Sequence, residues 1–307
     1  MKHLRRVWLA LVGVCVSQLV CAESLRVATY NLDNYLVANR RVGNEWRPNY
    51  PKPESEKQII RRVIQEVSPD ILVVQEIGTI EFLRELQADM AMEGVDYPYT
   101  VHLQAEDLDR HIAILSKLPP SGVVRHTDLA FNYMDQRVHV KRGLLEVSFG
   151  LANGQFFDLF AVHLKSRLTV DRADPESRIW RTKEAEACRN RIIERTFERD
   201  RDAFLVVGDF NDHPDSAVFR RFFRRGDMNI SYLLPAFDSR GERWTYYYSK
   251  SATYSLADAI LVSPAIKPLI HDGRGTIVDR PCVLAGSDHR MVYTDLSFSG
   301  HQFAEKD

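Results

Sequence analysis

The hydrophobic and polar positions of this 307-residue chain follow two periods, one typical of amphipathic helices and one typical of buried strands. Segments 54–67, 80–91 and 176–199 place their apolar residues at helical spacing. Short apolar runs between and after them predict strands at 24–30, 71–75, 112–115, 143–149, 156–163, 204–207, 256–262 and 291–297. Because helices alternate with strands while some strands follow each other directly, the pattern predicts an α/β sandwich with a mixed sheet.

The start of the chain does not fit this pattern. Three basic residues precede an apolar run over residues 7–20, which leads into small residues ending at Ala22. A retained membrane anchor is the alternative, but the run is shorter than the roughly 18 apolar residues that such an anchor needs. We therefore expect a signal peptide over residues 1–22 and one mature domain over residues 23–307. The protein is expected to be secreted or periplasmic, without stable membrane insertion.

Charge and cysteine content narrow the expected partners. Loss of residues 1–22 removes three basic residues and no acidic one, so the formal net charge moves from −1 to about −4. An acidic surface argues against tight nonspecific binding of nucleic acid but is compatible with a nuclease that binds its substrate for turnover. Cys188 and Cys282 remain after cleavage, and they can form either a disulfide or two buried thiols. We expect a monomer.

Polar side chains follow, interrupt or precede most of the buried strands. They are Asn31, Asp33, Glu76, His163, Lys165, Asp209, Asn211, Asp258, Asp288 and His289. Taken singly, most of them are equally well explained as turn, rim or satisfied core residues. Together they predict a crevice at which strand ends converge, as in α/β active sites. Oxygen ligands without a cysteine cluster favour Mg²⁺, Mn²⁺ or Ca²⁺ over zinc, and histidines beside such an ion suit phosphoester cleavage.

Six sequence blocks resemble, in order, the signature blocks of the endonuclease/exonuclease/phosphatase superfamily. They are TYNLDN, VVQEI, FAVHLKS, VVGDFNDHP, LADAILVS and GSDHRMV, and they extend across about residues 24–298. The resemblance implies a four-layer α/β/β/α sandwich with two packed mixed sheets. It also implies metal-dependent hydrolysis of phosphoesters by a nuclease or, as the alternative, by a lipid or sugar-phosphate phosphoesterase of sphingomyelinase type.

The same resemblance implies a metal side of the site. Glu76 resembles the main metal-binding glutamate of the family, with Asn31 and Asp33 beside it. Asp288 resembles a further carboxylate on the metal side. Mg²⁺ is the expected ion, with Mn²⁺ or Ca²⁺ as alternatives.

The catalytic side is implied in the same way. Asp209 and Asn211 resemble the pair that orients the nucleophile and contacts the phosphate, and they would share one face if their strand continued. His163 resembles a phosphate-contacting or general-acid histidine. His289 resembles the general base, oriented by Asp258.

Substrate contacts are implied less directly. Arg142 loosely resembles an arginine that touches the scissile phosphate, with an unpaired basic strand residue as the alternative. Lys165 lies in the segment 164–183, also rich in arginine, which is either a mobile substrate-binding loop or a solvated loop and first helical turn. The aromatic segment 244–254 either offers stacking surfaces to bases or packs a hairpin.

The expected partner is a phosphodiester substrate, with nucleic acid favoured because the sequence shows no long apolar hairpin for membrane docking. A non-catalytic binding module is the third alternative. It predicts the loss of Glu76, Asp209, Asn211 or His289, and all four residues are present.

Overall fold

A computed structural model describes residues 24–151 and 154–298. The expected signal peptide lies outside these residues. Four α-helices are present in the described part: α1 (Glu54–Val67), α2 (Ile80–Met92), α3 (Arg178–Arg195) and α4 (Ala217–Phe223). None of them combines the length and the hydropathy that a membrane crossing requires.

The strands are numbered β1 to β21 in chain order. They are β1 (Ser24–Tyr35), β2 (Val37–Val42), β3 (Glu45–Pro51), β4 (Ile71–Ile77), β5 (Tyr99–Leu103), β6 (His111–Ser116), β7 (Pro120–His126), β8 (Ala130–Tyr133), β9 (Gln136–His139), β10 (Leu144–Gly150), β11 (Phe156–His163), β12 (Phe204–Asp209), β13 (Arg224–Arg225), β14 (Met228–Asn229), β15 (Tyr232–Leu233), β16 (Ala236–Phe237), β17 (Tyr246–Tyr248), β18 (Thr253–Ser255), β19 (Asp258–Val262), β20 (Gly275–Ile277) and β21 (Val292–Ser297).

Two large sheets form the centre of the molecule. The first has the order β16-β20-β21-β1-β4-β6-β5, and the second has the order β15-β19-β12-β11-β10-β7. Each sheet is mixed, because β1 pairs in parallel with β4 and antiparallel with β21, while β11 pairs in parallel with β12 and antiparallel with β10. The expected pair of mixed sheets is confirmed.

The main apolar core lies between the two sheets. Val27 and Val73 of the first sheet meet Leu145, Leu205 and Ile260 of the second, and all five are almost fully buried. Since side chains alternate between the faces of a strand, the neighbouring residues of these strands point outward to the helices.

The helices cover the two outer faces. Helices α1 and α2 pack Ile64 and Leu83 against Val74 of the first sheet. Helices α3 and α4 pack Ile192 and Phe219 in a cluster that includes residues of the second sheet. The layers therefore follow the order α/β/β/α, which confirms the expected four-layer sandwich.

Some expected boundaries differ from the structure. The helix expected over 176–199 forms only over Arg178–Arg195, because the Asp174 carboxylate accepts hydrogen bonds from the backbone N–H groups of Ile179 and Trp180 at its start. The strand expected over 256–262 begins at Asp258. The N–H groups of Ala257 and Asp258 both donate to the Thr245 hydroxyl at 2.9 Å instead of joining the strand ladder.

The strand ends that carry the expected site residues meet at one edge of the sandwich. In the second sheet, His163 of β11 pairs with Asp209 of β12, and Asp209 pairs with Asp258 of β19. In the first sheet, Asn31 of β1 pairs with Gln75 of β4, the residue before Glu76. A hydrogen bond of 3.0 Å from the Asn31 amide to Asp209 joins the two sheets at this edge.

Gly208, directly before Asp209, is required by close packing. Its φ is +146°, and an added Cβ would lie 2.0 Å from the carbonyl oxygen of Val162. We expect Gly208→Ala to lower the free energy of unfolding by about 3 kcal/mol in urea denaturation. Gly226→Ala is the matched control, since Gly226 has φ +58° and nothing within 4 Å of its added Cβ. It should lower the free energy by only about 1 kcal/mol. Equal losses for the two variants would contradict the role of packing.

The two cysteines are not paired. Cys188 is on the buried face of α3, whereas Cys282 is exposed. Both expectations, a disulfide and two buried thiols, are therefore wrong for Cys282, which lies in a short surface turn.

Candidate active site

The centre of the site is a buried histidine–aspartate pair. His289 Nδ1 lies 2.7 Å from Asp258 Oδ2, and both side chains are almost completely buried. Thr245 fixes the backbone of Asp258 through its hydroxyl, as described above. Burial alone would lower the pKa of His289, but Asp258, Asp209 and Asp288 outweigh burial and raise the pKa well above its ordinary value.

Asp209 lies beside this pair and is held by two amides. The Asn31 side chain donates to Asp209 Oδ2 at 3.0 Å, and the Asn211 side chain donates to the same oxygen at 3.1 Å. Burial raises the pKa of Asp209 to about 7, and the nearby Asp258 carboxylate acts in the same direction. The strand does not continue to Asn211 as expected. Asn211 has a φ of +53° and meets Asp209 through a turn.

A second histidine faces the same carboxylates. His163 Nε2 lies 3.6 Å from Asp209 Oδ2 and 3.8 Å from Glu76 Oε1, and the ring is buried. Burial, with help from Arg142, His289 and Arg110, lowers the pKa of His163 well below its ordinary value. The two histidines therefore have opposite tendencies: His289 favours the protonated form and His163 the neutral form.

Glu76 and Asp288 form the more open side of the site. Glu76 has a φ of +59°, a strained conformation that a hydrogen bond of 3.0 Å from Asn34 N to its carboxylate helps to hold. Arg110 Nε lies 3.8 Å from the same carboxylate. Asp288 Oδ1 lies 3.8 Å from His289 Nε2. Partial burial raises the pKa of Asp288, and the nearby Asp33 and Glu76 carboxylates add to the rise, although His289 opposes it.

Asp33 lies at the rim of the site, next to the buried ammonium group of Lys52. Its carboxylate lies 3.7 Å from Lys52 Nζ and accepts a hydrogen bond from the Asn34 amide. Lys52 is fully buried, and its ammonium also donates to the Asp33 carbonyl at 2.7 Å. The structure thus brings Asp33 near Glu76 and Asp288, the expected metal ligands, but gives it a protein partner.

The donor set fits a hard divalent cation. Asp209, Asp258 and His289 each offer one atom, and these atoms lie within 4.8 Å of one another. Asp258 Oδ1 is buried and has no hydrogen-bond partner among the described residues. Carboxylates gathered so closely repel one another, and a bound Mg²⁺ or Mn²⁺ would remove that repulsion. Glu76 and Asp288, on the open side, are a second group of oxygen donors and an alternative position for the ion.

Three residues of the site were not singled out by the sequence. The Ser287 hydroxyl donates to the Asn31 carbonyl at 2.7 Å and accepts from His289 N at 3.0 Å, so it ties the last loop to β1. The Tyr246 ring lies 4.7 Å from the His289 ring. Arg110, which is partly exposed, lies opposite Glu76. Ser287 had a sequence signal in its position next to Asp288, and Tyr246 lies in the aromatic segment 244–254, for which a stacking surface was one alternative; Arg110 had no such signal.

The aromatic segment does form a hairpin, as one alternative expected. Strands β17 and β18 pair, and the Tyr247 ring packs on the Tyr254 ring at 4.7 Å. Tyr246, by contrast, faces the site through His289. The hairpin also holds the loop that carries Asp288 and His289, since Tyr247 N donates to the Asp288 carbonyl at 2.9 Å.

The expected substrate-binding cations are more buried than the sequence suggested. Arg142 is buried and paired, with its Nε 2.9 Å from Asp107 Oδ2, so the unpaired strand alternative is wrong. Its guanidinium also donates to the carbonyl of Leu164, the residue after His163, at 3.3 Å, and its charge lowers the pKa of His163. Lys165 donates to the carbonyls of Ser166 and Leu168.

The Arg181 side chain is buried within the segment 164–183 and does not lie on its surface. Its guanidinium is buried, lies 3.1 Å from Asp212 Oδ2, and donates to the carbonyls of Lys165 and Glu176. Arg181 is therefore held by internal partners and is not exposed to a substrate. The segment is fastened at its base, and its exposed residues Leu168 and Val170 project from it.

Known proteins share both the sequence pattern and the fold. The profile of the "Endonuclease/Exonuclease/phosphatase family" matches residues 28–289. Among the curated proteins, no match was found. Among solved structures, an endonuclease/exonuclease/phosphatase from Bacteroides vulgatus is 16% identical, with a TM-score of 0.63 over 89% of this chain and 98% of that chain.

Two further solved structures are similar. The human Nocturnin catalytic domain with bound sulfate anion is 17% identical, with a TM-score of 0.62 over 90% of this chain and 95% of that chain. A family protein from Leptotrichia buccalis is 14% identical, with a TM-score of 0.60 over 89% of this chain and 100% of that chain. At these identities the likeness establishes the fold.

Proposed function

This chain belongs to the endonuclease/exonuclease/phosphatase family, and we propose that it is a secreted, divalent-metal-dependent phosphodiesterase, with nuclease activity as the favoured form. Members of this family are generally hydrolases that act on phosphoester bonds and generally use divalent metals. The observation that carries the proposal is the buried Asp258–His289 pair, which lies beside Asp209 and opposite the carboxylates of Glu76 and Asp288.

The residues divide the chemistry between them. Asp258 orients the His289 ring through Nδ1, so that Nε2 of the neutral ring can take a proton from the attacking water; the nearby carboxylates favour the protonated ring, so this step requires that the ring first lose its proton. Asp209 and Asn211 orient that water and contact the phosphate. His163, buried and inclined to the neutral form, donates a hydrogen bond to a phosphate oxygen.

A divalent ion on the side of Glu76 and Asp288 would supply a positive charge that stabilises the developing charge on the phosphate oxygens. Asn31 keeps Asp209 in place from the opposite sheet. Arg110 Nε lies 3.8 Å from the Glu76 carboxylate, and with Glu76 neutralised by a divalent ion this guanidinium would be available to pair with a substrate phosphate. The sulfate anion bound to human Nocturnin shows that a protein with a similar fold binds a tetrahedral anion. That observation supports the assignment of phosphate binding here.

Secretion is proposed on the basic and apolar pattern of residues 1–22 alone. A fusion of these residues to a reporter that is active only after export would test it. Retention of the reporter in the cytoplasm would contradict it.

A substrate panel tests the activity. The mature protein should cleave a bis-aryl phosphodiester and a nucleic acid in the presence of Mg²⁺ or Mn²⁺, and EDTA should remove at least about 99% of the rate, since the ion supplies several kcal/mol of transition-state stabilisation. The rate should return when Mn²⁺ is added in excess. Cleavage of a choline lipid but of no nucleic acid would support the lipid alternative. Cleavage of no phosphoester by the folded protein would contradict the proposal.

A further inference from the structure

A basic hairpin begins next to Asp33 and Glu76, on the side of the site where the ion is proposed to bind. Its strands β2 and β3 (residues 37–51) pair only with each other within the described part of the chain. The hairpin carries three arginines and one glutamate, a net charge of about +2, although the mature chain as a whole is acidic. None of its residues is buried, and its two faces are largely exposed to solvent.

The base of the hairpin is fastened to the site residues. The Arg40 guanidinium donates to the carbonyls of Asn34, Leu36 and Tyr50. Lys52, just after the hairpin, donates to the Asp33 carbonyl. Since Asn34 N in turn donates to Glu76, the hairpin starts directly beside the metal side. Strands of six and seven residues extend at most roughly 20 Å from this base.

One face of the hairpin combines a cation with an aromatic ring. Arg41 lies directly opposite Trp46 in the strand register, so the two side chains share a face. Trp46 is 68% exposed, and the Arg41 guanidinium has no ion pair within residues 24–151 and 154–298. Arg47 lies on the other face, where it pairs with Glu45 at 3.2 Å.

We propose that this face binds a single-stranded nucleic acid whose scissile phosphate lies in the site, with a base stacked on Trp46 and a phosphate paired with Arg41. The proposal rests on the phosphodiesterase activity proposed above and specifies its substrate class. A single strand fits because stacking on Trp46 requires an unpaired base, and because the charge of the hairpin is complementary to phosphate. A lipid surface fits less well, since the turn at the tip of the hairpin is Gly43-Asn44 and the apolar Val42 beside it is only partly exposed.

Steady-state kinetics with a long and a short substrate distinguish substrate binding by the hairpin from the chemical step in the site. Trp46→Ala and Arg41→Gln should each raise KM about tenfold for a single-stranded oligonucleotide of about 12 nucleotides, since one stacked base or one phosphate contact is lost. Both variants should leave kcat/KM for a bis-aryl phosphodiester unchanged, because that substrate is too short to reach the hairpin. Arg47→Gln is the matched control and should keep the wild-type KM for the oligonucleotide.

Binding tests the proposal without catalysis. In the His289→Ala protein, the salt dependence of oligonucleotide affinity, measured by fluorescence anisotropy, should become shallower by about 0.7 in log–log slope when Arg41→Gln is added. An unchanged affinity in the Trp46→Ala protein, or an equal loss in the Arg47→Gln protein, would overturn the proposal. So would sedimentation with choline-lipid vesicles that Trp46→Ala abolishes while oligonucleotide binding is unaffected. Oligonucleotide binding without any hydrolysis by the wild type would support the hairpin and contradict the proposed activity.

Discussion

His289→Ala is expected to lower kcat for the bis-aryl phosphodiester by roughly 10³-fold, which is the usual contribution of a positioned general base. His289 is the histidine whose Nδ1 is committed to a buried aspartate, so its Nε2 is held in one direction toward the open side of the site. Alanine removes the proton acceptor and leaves Asp258 buried without its partner. The measurement is the initial rate under saturating substrate and Mn²⁺.

A surface histidine–aspartate pair provides the control. His271 lies 3.6 Å from Asp272, but both side chains are largely exposed. His271→Ala should therefore retain the wild-type kcat. Asp258→Asn should lower kcat less than His289→Ala, because the base remains but its orientation is lost. A normal kcat in folded His289→Ala protein would exclude this residue as the base.

The helices and the central strands were predictable because a buried face requires apolar residues at a regular spacing in the sequence. Helix α1 has the bounds that its apolar spacing predicted, and the strand over Phe156–His163 does as well. The basic hairpin was not predicted. Its residues bury no apolar face, and the contacts that hold it are donations from Arg40 and Lys52 to backbone carbonyls, which no hydrophobic pattern records.

The site residues were predictable where a strand ends in a polar residue. They were less predictable where a turn places the polar residue in the site. The edge formed by His163, Asp209 and Asp258 follows from strand pairing alone. Asn211 reaches Asp209 through a residue with positive φ, so alternation along a strand gave the right partner for the wrong reason.

Long-range partners account for the remaining differences. Arg142 is paired with Asp107, which lies 35 residues earlier in the chain. Arg181 is paired with Asp212, which lies 31 residues later. In each case the buried guanidinium requires a carboxylate, but the sequence around the arginine does not show which carboxylate supplies it. A loose motif resemblance for Arg142 and the arginine content of the segment around Arg181 therefore suggested substrate contacts where the fold makes internal ion pairs.

Glu76→Gln is expected to raise the half-saturating Mn²⁺ concentration by about 100-fold or more. Residues that only hydrogen-bond to a metal ligand already contribute about 10–100-fold to metal affinity, and a ligand itself should contribute at least as much. Glutamine keeps the size of the side chain and its bond to Asn34 N, but it removes the charge. The affinity is measured by titration calorimetry, which does not depend on catalysis. The control is Glu66→Gln. Glu66 is an exposed glutamate of α1 that pairs with Arg280, and the variant should bind Mn²⁺ as the wild type does.

The same titration distinguishes two positions for the ion. If it is bound mainly by Glu76 and Asp288, Glu76→Gln weakens binding strongly, while Asp258→Asn has a small effect because Asp258 is committed to His289. If it is bound by Asp209, Asp258 and His289, whose donor atoms lie within 4.8 Å of one another, the order of the two effects reverses. We expect the first result, since an ion between Asp258 and His289 would displace the hydrogen bond that orients the base. Stronger weakening by Asp258→Asn would assign these three residues to metal binding and leave His163 as the histidine free to transfer a proton.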